Sequence, residues 1–319
     1  MSQIFNNLLV VQDAYRNSTK AMEWANQIVP VDGSIMMLDV QPPLSALWQD
    51  LLADEYEDSP VYHRQKALRE LAVGIDFKVG ATARIRSGTP VVQIVRETLA
   101  NRFDLVVKEA YAKTSDLIFG SLDMRLMRYC PTPVWLAHPE APTHCSRVMV
   151  ALNPEASETE MLLNERLLQY ASEVARGFSC KLFVVAAFRN PSNLYAIADK
   201  ESLKRVEAQA KNVARHAREA ITKLLADSLK PVEQKNVIVE EGWPDEVIVS
   251  AVEDIQPDLL VMGSVARHGI SGLLVGNAAE RVLRQVDCSV LTIKPQNFVT
   301  PIEPDKPRGE QFPKVSLAF

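Results

Sequence analysis

Several kinds of chemistry are excluded by what this chain of 319 residues lacks. It has no G-x-x-x-x-G-K-[S/T] segment, so the usual P-loop for ATP phosphates is missing. Its four cysteines, Cys130, Cys145, Cys180 and Cys288, form no C-x-x-C pair; buried or free thiols in a reducing compartment are the expected state. The N-terminus has neither a basic n-region nor a long apolar stretch, so no signal peptide and no membrane span are expected, and the setting is read as cytoplasmic. A basic surplus is missing too. The formal net charge is −5, which argues against nucleic acid as the main partner, because neutralising phosphates needs a basic surface. No nucleophile elbow is completed: Gly269-Ile270-Ser271-Gly272 breaks the G-x-S-x-G frame at Leu273.

What is present is a repeat. Ser87-Gly88-Thr89-Pro90 matches Glu241-Gly242-Trp243-Pro244, and Phe103-Asp104-Leu105 matches Pro257-Asp258-Leu259, both at an offset of 154. Pro133-Val134-Trp135-Leu136 matches Ser289-Val290-Leu291-Thr292 at an offset of 156. A common offset over separate segments marks two copies of a domain-sized unit, and the length already favours two domains. The boundaries are read as 1–139, 146–296 and a proline-interrupted tail over 297–319, with a connector from Pro139 to Ser146.

Short apolar runs alternate with helical stretches in both copies. Copy one gives strands at Leu8–Val11, Ser34–Val40, Lys78–Ile85, Leu105–Lys108 and Val134–Ala137. Copy two gives Val148–Leu152, Lys181–Ala187, Asn236–Glu240, Leu259–Met262 and Val290–Ile293. Helices are predicted from Thr19 to Val29, over Leu44–Val73 with a break near Ser59-Pro60, from Pro90, and over Ser121–Tyr129. A long one spans Glu201–Leu229, where Leu203, Val206, Ala210, Val213, Ala217, Ile221 and Leu224 share a face. Near-continuous apolar strands alternating with helices mean an α/β fold: two tandem doubly wound parallel-sheet domains of the flavodoxin-like type. Such sheets bind ligands at the carboxyl ends of the strands where strand order reverses, here the loops after the first and fourth strands.

In copy two the fourth-strand loop runs from Met262-Gly263-Ser264-Val265-Ala266-Arg267 to Gly276-Asn277-Ala278-Ala279-Glu280. Glycines let backbone N–H groups approach a phosphate, and a helix opening at Asn277 turns its free N–H groups toward that spot. With Cys288-Ser289-Val290-Leu291-Thr292-Ile293 as the final strand, this segment resembles the universal stress protein family, whose loop follows G-x2-G-x9-G-[S/T/N]. The resemblance covers residues 3 to about 295. It implies an adenine nucleotide alpha hydrolase-like fold, a stress-response role, and ATP or another adenine nucleotide as ligand. Ala266 stands where the second glycine is expected and hinders close backbone approach, so binding is expected to be weak. The family's acidic residue after the first strand is Asp13 in copy one and Asn153-Pro154 in copy two. Copy one has Glu109 in place of the first glycine and a loop two residues shorter, with no glycine before Gly120-Ser121. Copy two is therefore the expected binder, through Asn153, Pro154, Ala187, Met262, Gly263, Val265, Ala266, Arg267, Gly276, Asn277, Ala278 and Ala279. Trp243 reads as a cover on the sheet end or a pocket wall, and Asp245-Glu246 as helix first-turn acids. His138, His144 and Cys145 match no metal spacing.

The function expected is that of a ligand sensor or scaffold without dedicated catalysis. Two alternatives stand beside it: a weak ATP hydrolase or phosphotransferase, and a binding module for an apolar or amphiphilic metabolite. The strands Val134–Ala137 and Val290–Ile293 are expected to make the chain an intramolecular pseudo-dimer about a pseudo-two-fold axis. A homodimer of such chains is compatible with that reading.

Overall fold

The computed structural model describes residues 4–43, 60–111, 118–189, 200–226, 231–264, 277–305 and 315–316. They belong to two compact units. The described residues up to Thr143 and those from Phe298 onward form one; the described residues between His144 and Asn297 form the other.

In the first unit β1 (Asn7–Val11), β2 (Ser34–Gln41), β3 (Ala81–Ser87), β4 (Leu105–Glu109) and β5 (Val134–Ala137) form a parallel sheet in the order β3-β2-β1-β4-β5. Helices α1 (Lys20–Ile28), α2 (Pro60–Val73), α3 (Pro90–Asn101) and α4 (Ser121–Tyr129) alternate with the strands. The second unit repeats the plan with β6 (Arg147–Leu152), β7 (Lys181–Phe188), β8 (Val237–Glu241), β9 (Leu259–Gly263) and β10 (Ser289–Ile293), in the order β10-β9-β6-β7-β8, again all parallel. Its helices are α5 (Glu158–Gly177), α6 (Lys200–Ala226), α7 (Pro244–Ile255) and α8 (Asn277–Leu283). In each sheet the order reverses between the first and fourth strands, which leaves a crevice at their carboxyl ends.

The repeated motifs have local physical causes. Gly88 takes φ +138°, and a Cβ there would stand 2.7 Å from Gln93 Nε2; the tight turn into α3 therefore requires glycine. Pro90 and Pro244 open α3 and α7 at the first turn, where the missing N–H costs nothing. Both helices end on a left-handed residue, Arg102 (φ 52°) and Gln256 (φ 49°). The repeated aspartate is a staple. Asp104 Oδ2 accepts Asn6 N at 3.0 Å and Asn7 N at 2.9 Å, and Asp258 Oδ2 accepts Ser146 N at 2.7 Å and Arg147 N at 2.8 Å. Each carboxylate fixes the entry to the first strand of its unit, which would otherwise leave backbone donors unpaired.

Some boundaries move. The third strand starts at Ala81 rather than Lys78 and runs to Ser87. The Ala81, Ala83, Ile85 alternation is interrupted by Arg84, which is buried because Glu97 Oε1 accepts from its Nη1 at 2.7 Å. The long helix is Lys200–Ala226; Ala217, Ile221 and Leu224 of the expected stripe are buried, and residues 227–229 lie outside the described residues. So do residues 44–59 of the predicted Leu44–Val73 helix. The tail is held on the first unit: Arg96 Nε donates to Glu303 O at 3.0 Å, Arg96 Nη1 lies 3.0 Å from Asp305 Oδ1, and β11 (Val315–Ser316) pairs antiparallel with β3. No described helix is long and apolar enough to cross a membrane.

Candidate functional site

In the second unit a cleft of ≈ 490 Å³ opens at the carboxyl ends of β6 and β9, a size suited to a small ligand. Its floor is apolar: Leu152, Leu163, Leu167, Ile248 and Val282 line it, with Met262 and the small residues Gly263, Ala278 and Ala279. Gly263 packs closely under α5: an added Cβ would stand 3.1 Å from Leu163 Cδ2, a tight contact that the leucine side chain would have to relieve by a small shift.

The polar groups are arranged by the chain itself. Asn153 turns the chain out of β6, and its Oδ1 accepts Glu155 N at 3.1 Å. Asn164, on the buried face of α5, accepts Asn153 N at 3.0 Å and donates to Asn153 O at 2.7 Å. Asn153 brings the cleft an amide, which can both donate and accept. An aspartate such as Asp13 offers acceptors only. Glu160 Oε2 caps α5 by accepting Ser157 N at 2.9 Å. At the mouth, the Arg189 guanidinium lies 4.7 Å from the Trp243 ring centre, a cation–π distance; Trp243 is 52% exposed. Two residues on from Trp243, Asp245 Oδ2 pairs with Arg281 Nε of α8 at 2.8 Å, while Asp245 Oδ1 is buried without a hydrogen-bond partner among the described residues.

Among the residues expected from sequence, Asn153, Met262, Gly263, Ala278 and Ala279 wall this cleft, while Pro154 and Ala187 stand outside its described walls. Val265, Ala266, Arg267 and Gly276 lie outside the described residues, and Asn277 is described as the first residue of α8 without its side chain. Sequence reading missed Asn164, Arg189 and Arg281. Asn164 had a signal: a lone amide among Leu163, Leu167 and Leu168. Arg189 had another, as the first charge after an eight-residue strand.

The first unit carries charged side chains at the equivalent positions. At the matching positions Lys108 replaces Met262, Glu109 replaces Gly263 and Asp123 replaces Ala279. Lys108 Nζ lies 2.7 Å from Asp123 Oδ1 and donates to Glu109 O at 2.6 Å. Asp123 Oδ2 accepts Gly120 N at 2.8 Å and Tyr111 N at 3.1 Å, closing the two ends of the loop. Glu109 accepts from Ser18 Oγ and, at 3.3 Å, from Arg16 Nη2, whose guanidinium lies 3.9 Å from the Tyr111 ring centre. Asp13 is not open to a ligand on all sides: Arg64 Nη1 lies 3.8 Å from it and 2.5 Å from Asp39 Oδ2. Burial raises the Asp39 carboxyl above its ordinary value, against the pull of Arg64. In the connector, His138 Nδ1 accepts Glu140 N and Ala141 N, both at 3.2 Å.

The model of the universal stress protein family matches residues 5–138 and again 147–294. The chain belongs to that family. Universal stress protein E of Escherichia coli (strain K12) is 29% identical over 250 residues, 77% of this chain and 76% of the relative. Universal stress protein E of Photorhabdus laumondii subsp. laumondii is 26% identical over 322 residues, 95% of this chain and 99% of the relative. The fold is shared with a universal stress protein from Archaeoglobus fulgidus DSM 4304, at TM-score 0.60 and 21% identity over 92% of this chain and 99% of that one. It is also shared with protein PA1789 from Pseudomonas aeruginosa PAO1, at TM-score 0.68 and 21% identity over 93% and 95%. As a universal stress protein of the tandem kind, the chain keeps the family's two units while their crevices differ in content.

Proposed function

We propose that this universal stress protein is a ligand-sensing or scaffold protein without dedicated catalysis, and that its second unit holds the ligand. The observation that carries this reading is the contrast between the ≈ 490 Å³ cleft of the second unit and the ion pairs of Lys108, Glu109 and Asp123 at the matching positions of the first. An adenine nucleotide fits as a weak ligand. Its base would meet the apolar floor and the Trp243 ring, and Arg189 supplies positive charge at the rim, the charge of Arg281 being matched by Asp245. Asn153 in place of an aspartate removes a carboxylate that would accept from ribose hydroxyls, which favours modest affinity. The carboxylates of the cleft are engaged in structure: Glu155 Oε1 accepts Arg189 N at 3.2 Å, Glu160 caps α5, and Asp245 pairs with Arg281. That engagement supports binding over hydrolysis or phosphotransfer.

A second reading is an apolar or amphiphilic metabolite, favoured by the leucine, isoleucine and valine floor. Native mass spectrometry of the purified chain separates the two: a co-purified adenine nucleotide supports the first and a solvent-extractable amphiphile the second. Calorimetric titration with ATP then locates the site. Ala278→Leu, which fills the cleft, is expected to weaken binding about tenfold or more, and Asp13→Ala to leave it unchanged. The reverse pattern would move the ligand to the first unit.

A further inference from the structure

Cys145 and Cys180 take no part in the cleft. Cys145 lies in the connector two residues before β6, and Cys180 ends the turn that carries α5 into β7. Register brings them together. Arg147 faces Lys181 across the β6–β7 ladder, and Lys181 N donates to Ser146 O at 2.9 Å, so the residues preceding these donors and acceptors meet at one end of the pair. The Cys180 thiol donates to Cys145 Sγ over 3.7 Å, and the Cys145 thiol to Arg147 O at 3.8 Å. The flanking backbone is clamped. Asp258 holds Ser146 N and Arg147 N, and Cys180 N donates to Ala175 O at 2.9 Å. The two residues are only 6% and 5% exposed.

We propose that Cys145 and Cys180 are a redox modification site, a dithiol that a hydroperoxide converts to an intramolecular disulfide tying the connector to the head of β7. The sulfurs are already in contact. Reaching a bond length of about 2.0 Å needs small side-chain rotations of residues on paired strand ends, not a new backbone path. The Cys145 sulfur attacks one peroxide oxygen. The S–O bond forms, the O–O bond breaks, and the alkoxide leaves with the thiol proton as an alcohol. Cys180 sulfur then attacks the sulfenic sulfur. The S–S bond forms, the S–O bond breaks, and hydroxide leaves as water with the Cys180 proton. Two thiols lose two electrons and one hydroperoxide gains them. The hydrogen bond with Cys180, and burial, push the Cys145 thiol well above the ordinary thiol range. Reaction therefore proceeds through brief opening of the connector and is slow beside that of an exposed thiolate.

The test uses the full chain, folded, treated with tert-butyl hydroperoxide, then alkylated in denaturant and digested without reduction. Mass spectrometry is expected to find the Cys145 and Cys180 peptides linked within one chain, with two of the four thiols lost. The oxidised chain should unfold at higher urea, and reduction should restore the starting midpoint. Cys145→Ser and Cys180→Ala should each abolish the link while Cys130 and Cys288 stay alkylatable. Four surviving thiols, after an exposure that oxidises the unfolded chain, would overturn the proposal. Links through Cys130 or Cys288, or between chains, would do so equally.

Discussion

Arg16 Nη2 of the first unit stands 3.3 Å from Glu109 Oε1, and Glu109 occupies the position that the second unit gives to Gly263. One carboxylate thus replaces open space with an ion pair under an aromatic ring. Reversing that single change should not recreate a binding site. Glu109→Gly leaves Lys108 and Asp123 in place, so ATP titration of this variant is expected to match the parent. Urea unfolding should show a loss of about 1–2 kcal/mol, since Arg16 and Ser18 lose a charged partner. A gain of a second ATP site would refute the filled-crevice account.

Arg281 and Asp245 make the opposite case, an ion pair on the wall of an open cleft. Arg281 is half exposed and Asp245 buried. Arg281→Ala should cost about 1–2 kcal/mol, mostly from a buried carboxylate left without its cation. Adding Asp245→Asn should recover part of that loss. A double-mutant cycle with no coupling would show that the pair is incidental.

Glu97 of α3 gathers Arg84 Nη1 at 2.7 Å, Arg86 Nη2 at 2.7 Å and Asn101 Nδ2 at 2.7 Å, and is fully buried. Glu97→Ala strands a buried arginine. A loss of about 3–5 kcal/mol is expected, with Glu97→Gln milder because its amide oxygen still accepts. Equal, small losses in both variants would show that the network adds little.

Trp243 is half exposed, so Trp243→Ala should change stability by no more than about 0.5 kcal/mol. Ligand affinity should nonetheless fall by about tenfold, the scale of a lost aromatic stack. Affinity unchanged in calorimetry would remove Trp243 from the binding surface.

Burial pushes the Cys288 thiol up to about 12 from an ordinary 9.0. A folded-state value above the unfolded one means that the favourable contribution is complete below pH 9.0 and is lost as pH rises toward about 12. Native iodoacetamide labelling at pH 8 to 9 should therefore leave Cys288 untouched, while the unfolded chain is labelled there. Prompt native labelling would contradict this.

The alternation of apolar runs and helices made the strands and the parallel α/β class legible, because parallel strands buried on both faces write near-continuous Val, Leu and Ile into the chain, and the common motif offsets made the repeat legible; the order of the strands in each sheet came only with the structure. Gly88, Pro90 and Pro244 marked helix starts through backbone geometry that few other residues meet. Glu109 in place of a glycine was legible too, but not the partners that gather around it. Lys108, Glu109 and Asp123 are far apart or ambiguous as letters, and only the pairing of β4 with β1 and the return of α4 bring them into one charged cluster. Asp104 and Asp258 were visible as repeated residues, but their role as staples for β1 and β6 depends on chain crossings that no local pattern encodes. Arg281 reaches Asp245 across two helices for the same reason.

A duplicated chain would ordinarily count as bivalent. On the reading proposed above, the ion pairs of Lys108, Glu109 and Asp123 leave the first unit without a matching receptor, so one molecule per chain is the expected occupancy. A titration is then expected to follow a plain hyperbola whose capacity equals the protein concentration, and a capacity of two would refute the proposal.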